Sequence, residues 1–148
     1  MIKIFIAATL GSLGFGLMFG NRGIKLLISA LGGSVCWGAY LLAGHFDAAG
    51  FLQVLIAALA AALYAEIMAR VLKAPATVFS LIAAMPLVPG SSLYRTMDAV
   101  LSTDREAALR FGISTVTDAA AIAVGIVAVS LIFKYASRLQ RLAKRAEK

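Results

Sequence analysis

Charge is scarce in this chain: Asp, Glu, Lys and Arg make up 14% of its 148 residues, where an ordinary globular domain carries about 25%. That excludes a soluble domain, which would have too little polar surface to cover its core. There is one cysteine, Cys36, so no internal disulfide forms, and with a single histidine beside it a structural zinc site is excluded as well. Cys36 lies inside an apolar run and reads as a small buried residue. The sequence has no nucleophile–base pair, no carboxylates paired at useful spacing and no phosphate-cradling glycine loop. These absences point away from an enzyme and from nucleotide-driven chemistry, and nothing calls for a cofactor.

What the chain has in excess is apolar surface. Hydrophobic residues account for 61% of it, and the mean hydropathy is +0.92. Long apolar runs recur along the whole length, which is the pattern expected when lipid is the solvent. A crossing needs about 20 residues, at 1.5 Å each, to span about 30 Å of hydrocarbon. On that ruler the expected segments are 3–20, 24–44, 50–72, 76–89 and 111–134, the fourth too short to cross alone. The expected fold is all-α: an integral membrane helical bundle of about five segments, with the fourth broken at a Pro/Gly element. It forms one transmembrane domain over residues 1–148, with a basic cytoplasmic tail at 135–148. The N-terminal run MIKIFIAATLGSLGFGLMFG reads as the first membrane helix, since no small-x-small cleavage site leads into a polar domain.

The formal charge of +7 does not indicate a nucleic-acid partner, because the basic residues sit at the ends of apolar runs and in the tail. The first connector carries Arg22 and Lys25 and the third carries Arg70 and Lys73, while KYASRLQRLAKRAEK holds six basic residues against Glu147. All three stretches vote cytoplasmic by the positive-inside rule. They agree if the fourth segment reaches the outer side with help from 90–102 before the fifth returns, giving an N-terminus outside and a C-terminus inside, in a bacterial inner membrane. In TDREAAL, Thr103 and Glu106 have capping-box spacing, which predicts a helix starting near 104.

Residues 85–97, MPLVPGSSLYRTM, interrupt an apolar run with two prolines and a glycine. Relative to alanine, proline inside a helix costs about 3 kcal/mol and glycine about 1 kcal/mol. In lipid, such a break persists where protein or a water-lined cavity satisfies the freed backbone. After Gly90, Ser91 or Ser92 is suited to cap a second short helix containing Tyr94 and Arg95. The first amides of that helix would face the gap with the positive end of the helix dipole behind them, which suits a carboxylate. Discontinuous helices serve transporters in this way; a plain packing kink or a re-entrant hairpin is the alternative.

The segment PATVFSLIAAMPLVPGSSLYRTM resembles the threonine/serine exporter family, specifically its smaller C-terminal half, in which an apolar helix leads into a P-x-x-P-G-[small]-x-x-Y element. The upstream GFGLMFGNRGIKLLISALGGSVCWG is similar to that family's opening helix pair. The resemblance implies a carrier component that exports small amino acids or, in some members, dicarboxylates such as succinate. It also implies a larger multi-helix subunit, fused or separate. This chain has only the small half, so a separate large subunit completes it or copies of the chain associate. On this reading the substrate-binding residues are Pro86, Pro89, Gly90, Ser91, Ser92, Tyr94 and Arg95. A non-transporting assembly subunit is the reading from another class.

Asp118 lies in the final span beside Ser114, Thr115 and Thr117, either as a proton-coupling group or as an ion-pair partner of Arg95 or Arg110. Glu66 stands four residues before Arg70, the favourable order for a helical pair, with coupling or gating as its alternative role. Tyr64 and Trp37 read as packing or interface aromatics. The glycines of the first two spans are suited to close helix approach, within the chain or toward another subunit. The basic tail is suited to anionic lipid headgroups.

Overall fold

A computed structural model describes residues 2–48 and 50–146, and all regular structure among them is helical. The helices are α1 (Ile2–Met18), α2 (Ile24–His45), α3 (Gly50–Val71), α4 (Ala76–Ala84), α5 (Gly90–Leu101) and α6 (Arg105–Ala146), with a 3₁₀ turn, Met85–Leu87, after α4. By length and composition, α2, α3 and Arg105–Leu139 of α6 are able to cross a membrane. Ala76–Leu87 and Gly90–Leu101 meet at a 54° bend and bring the number to four if they form one span. The remaining expected segment, 3–20, is α1, which is apolar but has 17 residues, roughly 26 Å of helix.

Large apolar side chains such as Leu10, Leu31, Leu63, Val116 and Ile132 lie exposed on the outside of the bundle. The inside is built from small residues. Ala57, Ala58, Ala61, Ala62 and Ala65 form a fully buried stripe along α3, and a Cβ added at Gly125 of α6 would lie 2.7 Å from the Ala58 Cβ. Helices in lipid gain little from hydrophobic exclusion and associate through such close packing. The same holds for Gly32 of α2, where a Cβ would lie 2.7 Å from Ala83 of α4, whereas Gly11 and Gly14 of α1 face open space. The expected small-residue faces are therefore only partly used within the chain, and the alanine stripe of α3 carries more of the packing.

α4 packs among α1, α2 and α3, while α5 leaves that group and packs on α6. The stripe Ser92, Thr96 and Ala99 turns inward, with the Thr96 methyl 3.6 Å from the Cβ position of Gly112. Leu87, at the end of the 3₁₀ turn, shares a buried cluster with Cys36, Ala57, Ala58 and Ala83, against which Ile122 packs. Cys36, Ala57 and Ile122 lie near the middles of α2, α3 and the apolar part of α6, so the chain breaks at about half the depth of the bundle. Cys36 is buried, as expected, with its thiol 3.7 Å from the Ala57 carbonyl.

The basic stretches gather at one end. Tyr64 donates to the Ile28 carbonyl at 2.6 Å, tying the start of α2 to α3, and the Arg70 guanidinium lies 4.4 Å from the Phe133 ring centre, tying the end of α3 to α6. Trp37 stacks on Tyr40 with ring centres 5.0 Å apart, an interior packing role.

One expected cap is corrected. Thr103 does not open α6; its φ is +59°, and it closes α5, with its amide donating to the Val100 carbonyl at 3.2 Å and the Asp104 amide to the Ala99 carbonyl at 2.9 Å. This is the Schellman arrangement, which places Thr103 in the left-handed region usually filled by glycine. Asp104 is the actual cap, accepting from the Ala107 amide at 3.1 Å, and the helix begins at Arg105. A β-branched residue in that conformation is strained by about 1–2 kcal/mol. Thr103→Gly is therefore expected to raise the unfolding free energy of the purified protein by about 1 kcal/mol. A lowered denaturation midpoint would show that the threonine side chain stabilises the turn more than its backbone strains it.

Candidate functional site

The interruption is built in three steps. Pro86 sits at the start of the 3₁₀ turn and has no amide to continue the ladder, and the last amide before it, that of Met85, already closes 3₁₀-fashion on the Ile82 carbonyl. The turn then closes with the Val88 amide donating to the Met85 carbonyl at 3.2 Å. Pro89, with φ −76° and ψ 51°, is the centre of an inverse γ-turn in which the Gly90 amide donates to the Val88 carbonyl at 2.7 Å.

α5 starts at Gly90 itself, and its cap position is Pro89, with no side-chain cap. The expectation that Ser91 or Ser92 caps this helix is thus corrected: the γ-turn delivers the chain directly into helical geometry at Gly90, and both serines fall in the first turn. The Leu93 amide donates to the Pro89 carbonyl at 3.0 Å, while the Ser91 and Ser92 amides have no backbone partner. These two donors are what the break leaves free.

The expected site residues do not all face one way. Ser91, Tyr94 and Arg95 share the exposed outer side of α5, with Tyr94 71% exposed. Ser92 is half-buried on the side toward α6, where its carbonyl accepts from the Thr96 hydroxyl at 2.7 Å. A Cβ at Gly90 would meet nothing within 4 Å. Arg95 and Arg110 both lie near Phe111, their guanidinium carbons 5.5 Å and 5.7 Å from its ring centre.

Asp118 is half-buried on α6, hydrogen-bonded to Ser114 one turn earlier. Neither of the ion pairs considered for it forms: among the described residues the one salt bridge is Arg70 to Glu66, at 2.5 Å. That pair is the helical i,i+4 contact expected from the sequence, and it is buried at Glu66.

The Glu66–Arg70 pair also opens a region that sequence reasoning missed. A cavity of about 760 Å³ lies between α3, α4 and α6, lined among others by Glu66, Thr77, Ser80, Ser130, Lys134 and Arg138. Its size falls in the usual range for small-molecule sites, about 300–1,000 Å³. The available signal was helical spacing. Glu66 and Arg70 are four apart, as are Ser130, Lys134 and Arg138, so each helix carries one polar stripe on an otherwise apolar surface, buried at Glu66 and exposed at Arg70, Lys134 and Arg138.

An apolar helical bundle whose large side chains face outward, with helices long enough to cross a bilayer, is the architecture of a multi-pass membrane protein. The family described as Threonine/Serine exporter, ThrE, matches residues 4–132, and the chain belongs to that family. No curated protein and no solved structure matches it.

Proposed function

We propose that the chain is the small component of a secondary exporter, moving small carboxylate-bearing metabolites, threonine and serine foremost, out of the cytoplasm across the bacterial inner membrane. The observation that carries this reading is the interruption at Pro86–Gly90, which leaves the Ser91 and Ser92 amides free at half depth within a chain of the exporter family. The cargo carboxylate accepts from those amides, Ser91 and Ser92 add hydroxyls, and Tyr94 and Arg95 border the site from the next turn of α5.

In this reading the bent pair is one broken span and α1 completes a set of five. The basic end is cytoplasmic, supported by the gathering of Arg22, Lys25, Arg70, Lys73 and Lys134 in sequence positions that the packing brings to one end. The large subunit covers the outer side of α5: Arg95, Asp98 and Tyr94 are exposed there, and charged groups facing hydrocarbon cost roughly 2.5–3.5 kcal/mol each. Asp118 couples export to the proton gradient. Alternating access comes from one half moving against the other.

The test is co-expression with a large-half protein of the same family, followed by export assays with threonine, serine and succinate. Saturable efflux of the two amino acids that requires both chains is expected, with Asp118→Asn removing its dependence on the pH gradient. If the pair moves none of the three while the small chain still stabilises its partner, the chain is an assembly subunit. Efflux of succinate alone would reassign the cargo to dicarboxylates.

A further inference from the structure

Glu66 is 8% exposed, and only one of its carboxylate oxygens is used. Arg70 Nη1 donates to Oε2 at 2.5 Å and to the Glu66 carbonyl at 2.6 Å. Oε1 accepts no hydrogen bond among the described residues, and it is not one of the fully enclosed unpartnered atoms, so it opens onto the cavity that Glu66 lines. A buried carboxylate with an idle oxygen is costly unless something donates to it. The Arg70 guanidinium also rests on the Phe133 ring.

Across the cavity, α6 brings up Lys134 and Arg138, and neither forms a salt bridge among the described residues. Ser80, 5% exposed, lines the same space, and its hydroxyl enters none of the side-chain hydrogen bonds among the described residues. Among the described residues the cavity thus offers one carboxylate oxygen without a protein donor, two exposed cations at its rim without a protein acceptor, and idle hydroxyls between them. Those are the complements of a small molecule carrying an ammonium, a carboxylate and a hydroxyl.

We infer that this cavity is a second binding site, taking a hydroxyl-bearing α-amino acid as its zwitterion: the ammonium donates to Glu66 Oε1, the carboxylate pairs with Lys134, and Ser80 and Ser130 hydrogen-bond the remainder. The inference rests on the export reading for its class of cargo, but the site is separate from the break. Ser80 stands eight residues before Val88, roughly 12 Å of helix, so α4 carries the cavity at its start and the interruption at its end. Cargo entering from the basic end meets Glu66 and Lys134 first. A dicarboxylate fits poorly, because its second carboxylate would face Glu66. A lipid phosphate would satisfy Lys134 and Arg138 but leave Oε1 idle.

The test is titration of the full-length chain, in nanodiscs of neutral lipid, with three probes: L-threonine, its methyl ester without the carboxylate charge, and 2,3-dihydroxybutanoate without the ammonium. The wild-type chain is expected to bind threonine at least roughly ten-fold more tightly than either analogue, as for a charge pair truncated on one side. Glu66→Gln brings threonine down to the level of dihydroxybutanoate, and Lys134→Gln weakens threonine without changing the ester. Should Glu66→Gln fail to fold, Lys134→Gln, exposed near the end of the bundle, carries the test alone. Threonine affinity indifferent to Lys134→Gln, dihydroxybutanoate binding as tightly as threonine, or no threonine binding at all overturns this site. None of these results touches efflux by the two-chain exporter, whose absence would overturn the export reading instead.

Discussion

Ser91→Pro is expected to lower threonine export by roughly ten- to hundred-fold, the loss of one or more hydrogen bonds to a charged group, while the protein still inserts and accumulates normally. The reasoning is local. Ser91 lies in the first turn of α5, where its amide has no backbone partner, so proline there breaks no helical hydrogen bond. What it removes is one of the two free donors at half depth. Ser91→Ala keeps that donor and loses only the hydroxyl, so its export falls by much less. Efflux rates in cells co-expressing the large half, normalised to the membrane content of each variant, separate the two. Equal loss in both would assign the role to the hydroxyl rather than to the peptide group.

Gly125→Leu is expected to disrupt the bundle itself. The Cβ alone would lie 2.7 Å from the Ala58 Cβ and 3.2 Å from the Leu59 amide nitrogen, and the remaining three carbons have nowhere to go without parting α3 from α6. Overpacking typically costs about 1–3 kcal/mol, and a leucine against backbone belongs at the top of that range or beyond. Gly125→Ala, which adds only the Cβ, is expected to cost about 1 kcal/mol. Denaturation midpoints in detergent check both. A Gly125→Leu protein as stable as wild type would mean that α3 and α6 are not held face to face as described. Because Arg70 on α3 meets Phe133 on α6, the same variant is expected to dismantle the cavity.

Much of the fold could be read in the sequence because lipid imposes a simple ruler. The apolar runs 24–44 and 50–72 became Ile24–His45 and Gly50–Val71, and the break at Pro86–Gly90 fell where two prolines left no continuous ladder. Helix ends were harder. Thr103 and Glu106 have capping-box spacing, yet Asp104 made the cap, because whether a polar residue closes one helix or opens the next depends on the left-handed turn between them. The alanine stripe of α3 was hidden for a different reason: LIAALAAAL is apolar all round, and periodicity cannot choose a face when every face is apolar.

The site was legible in chemistry and less so in direction. The sequence identified the prolines, glycine and serines of the break, but the rotation of about 100° between Ser91 and Ser92 sets one outward and the other toward α6. Glu66 and Arg70 were identified as a pair from their spacing alone. Their cavity was not, since Ser80, Ser130 and Lys134 are distant in sequence and meet only through the parallel packing of α3 and α6 around α4.

The proposal that an interrupted helix presents peptide donors to anionic cargo has one direct measurement: amide resonances of the labelled chain in nanodiscs, with its large partner bound, as threonine is added. The Ser91 and Ser92 amides should shift downfield with the titration and stay put when the methyl ester is used. Unmoved resonances at both positions, under conditions where the complex exports threonine, would contradict it.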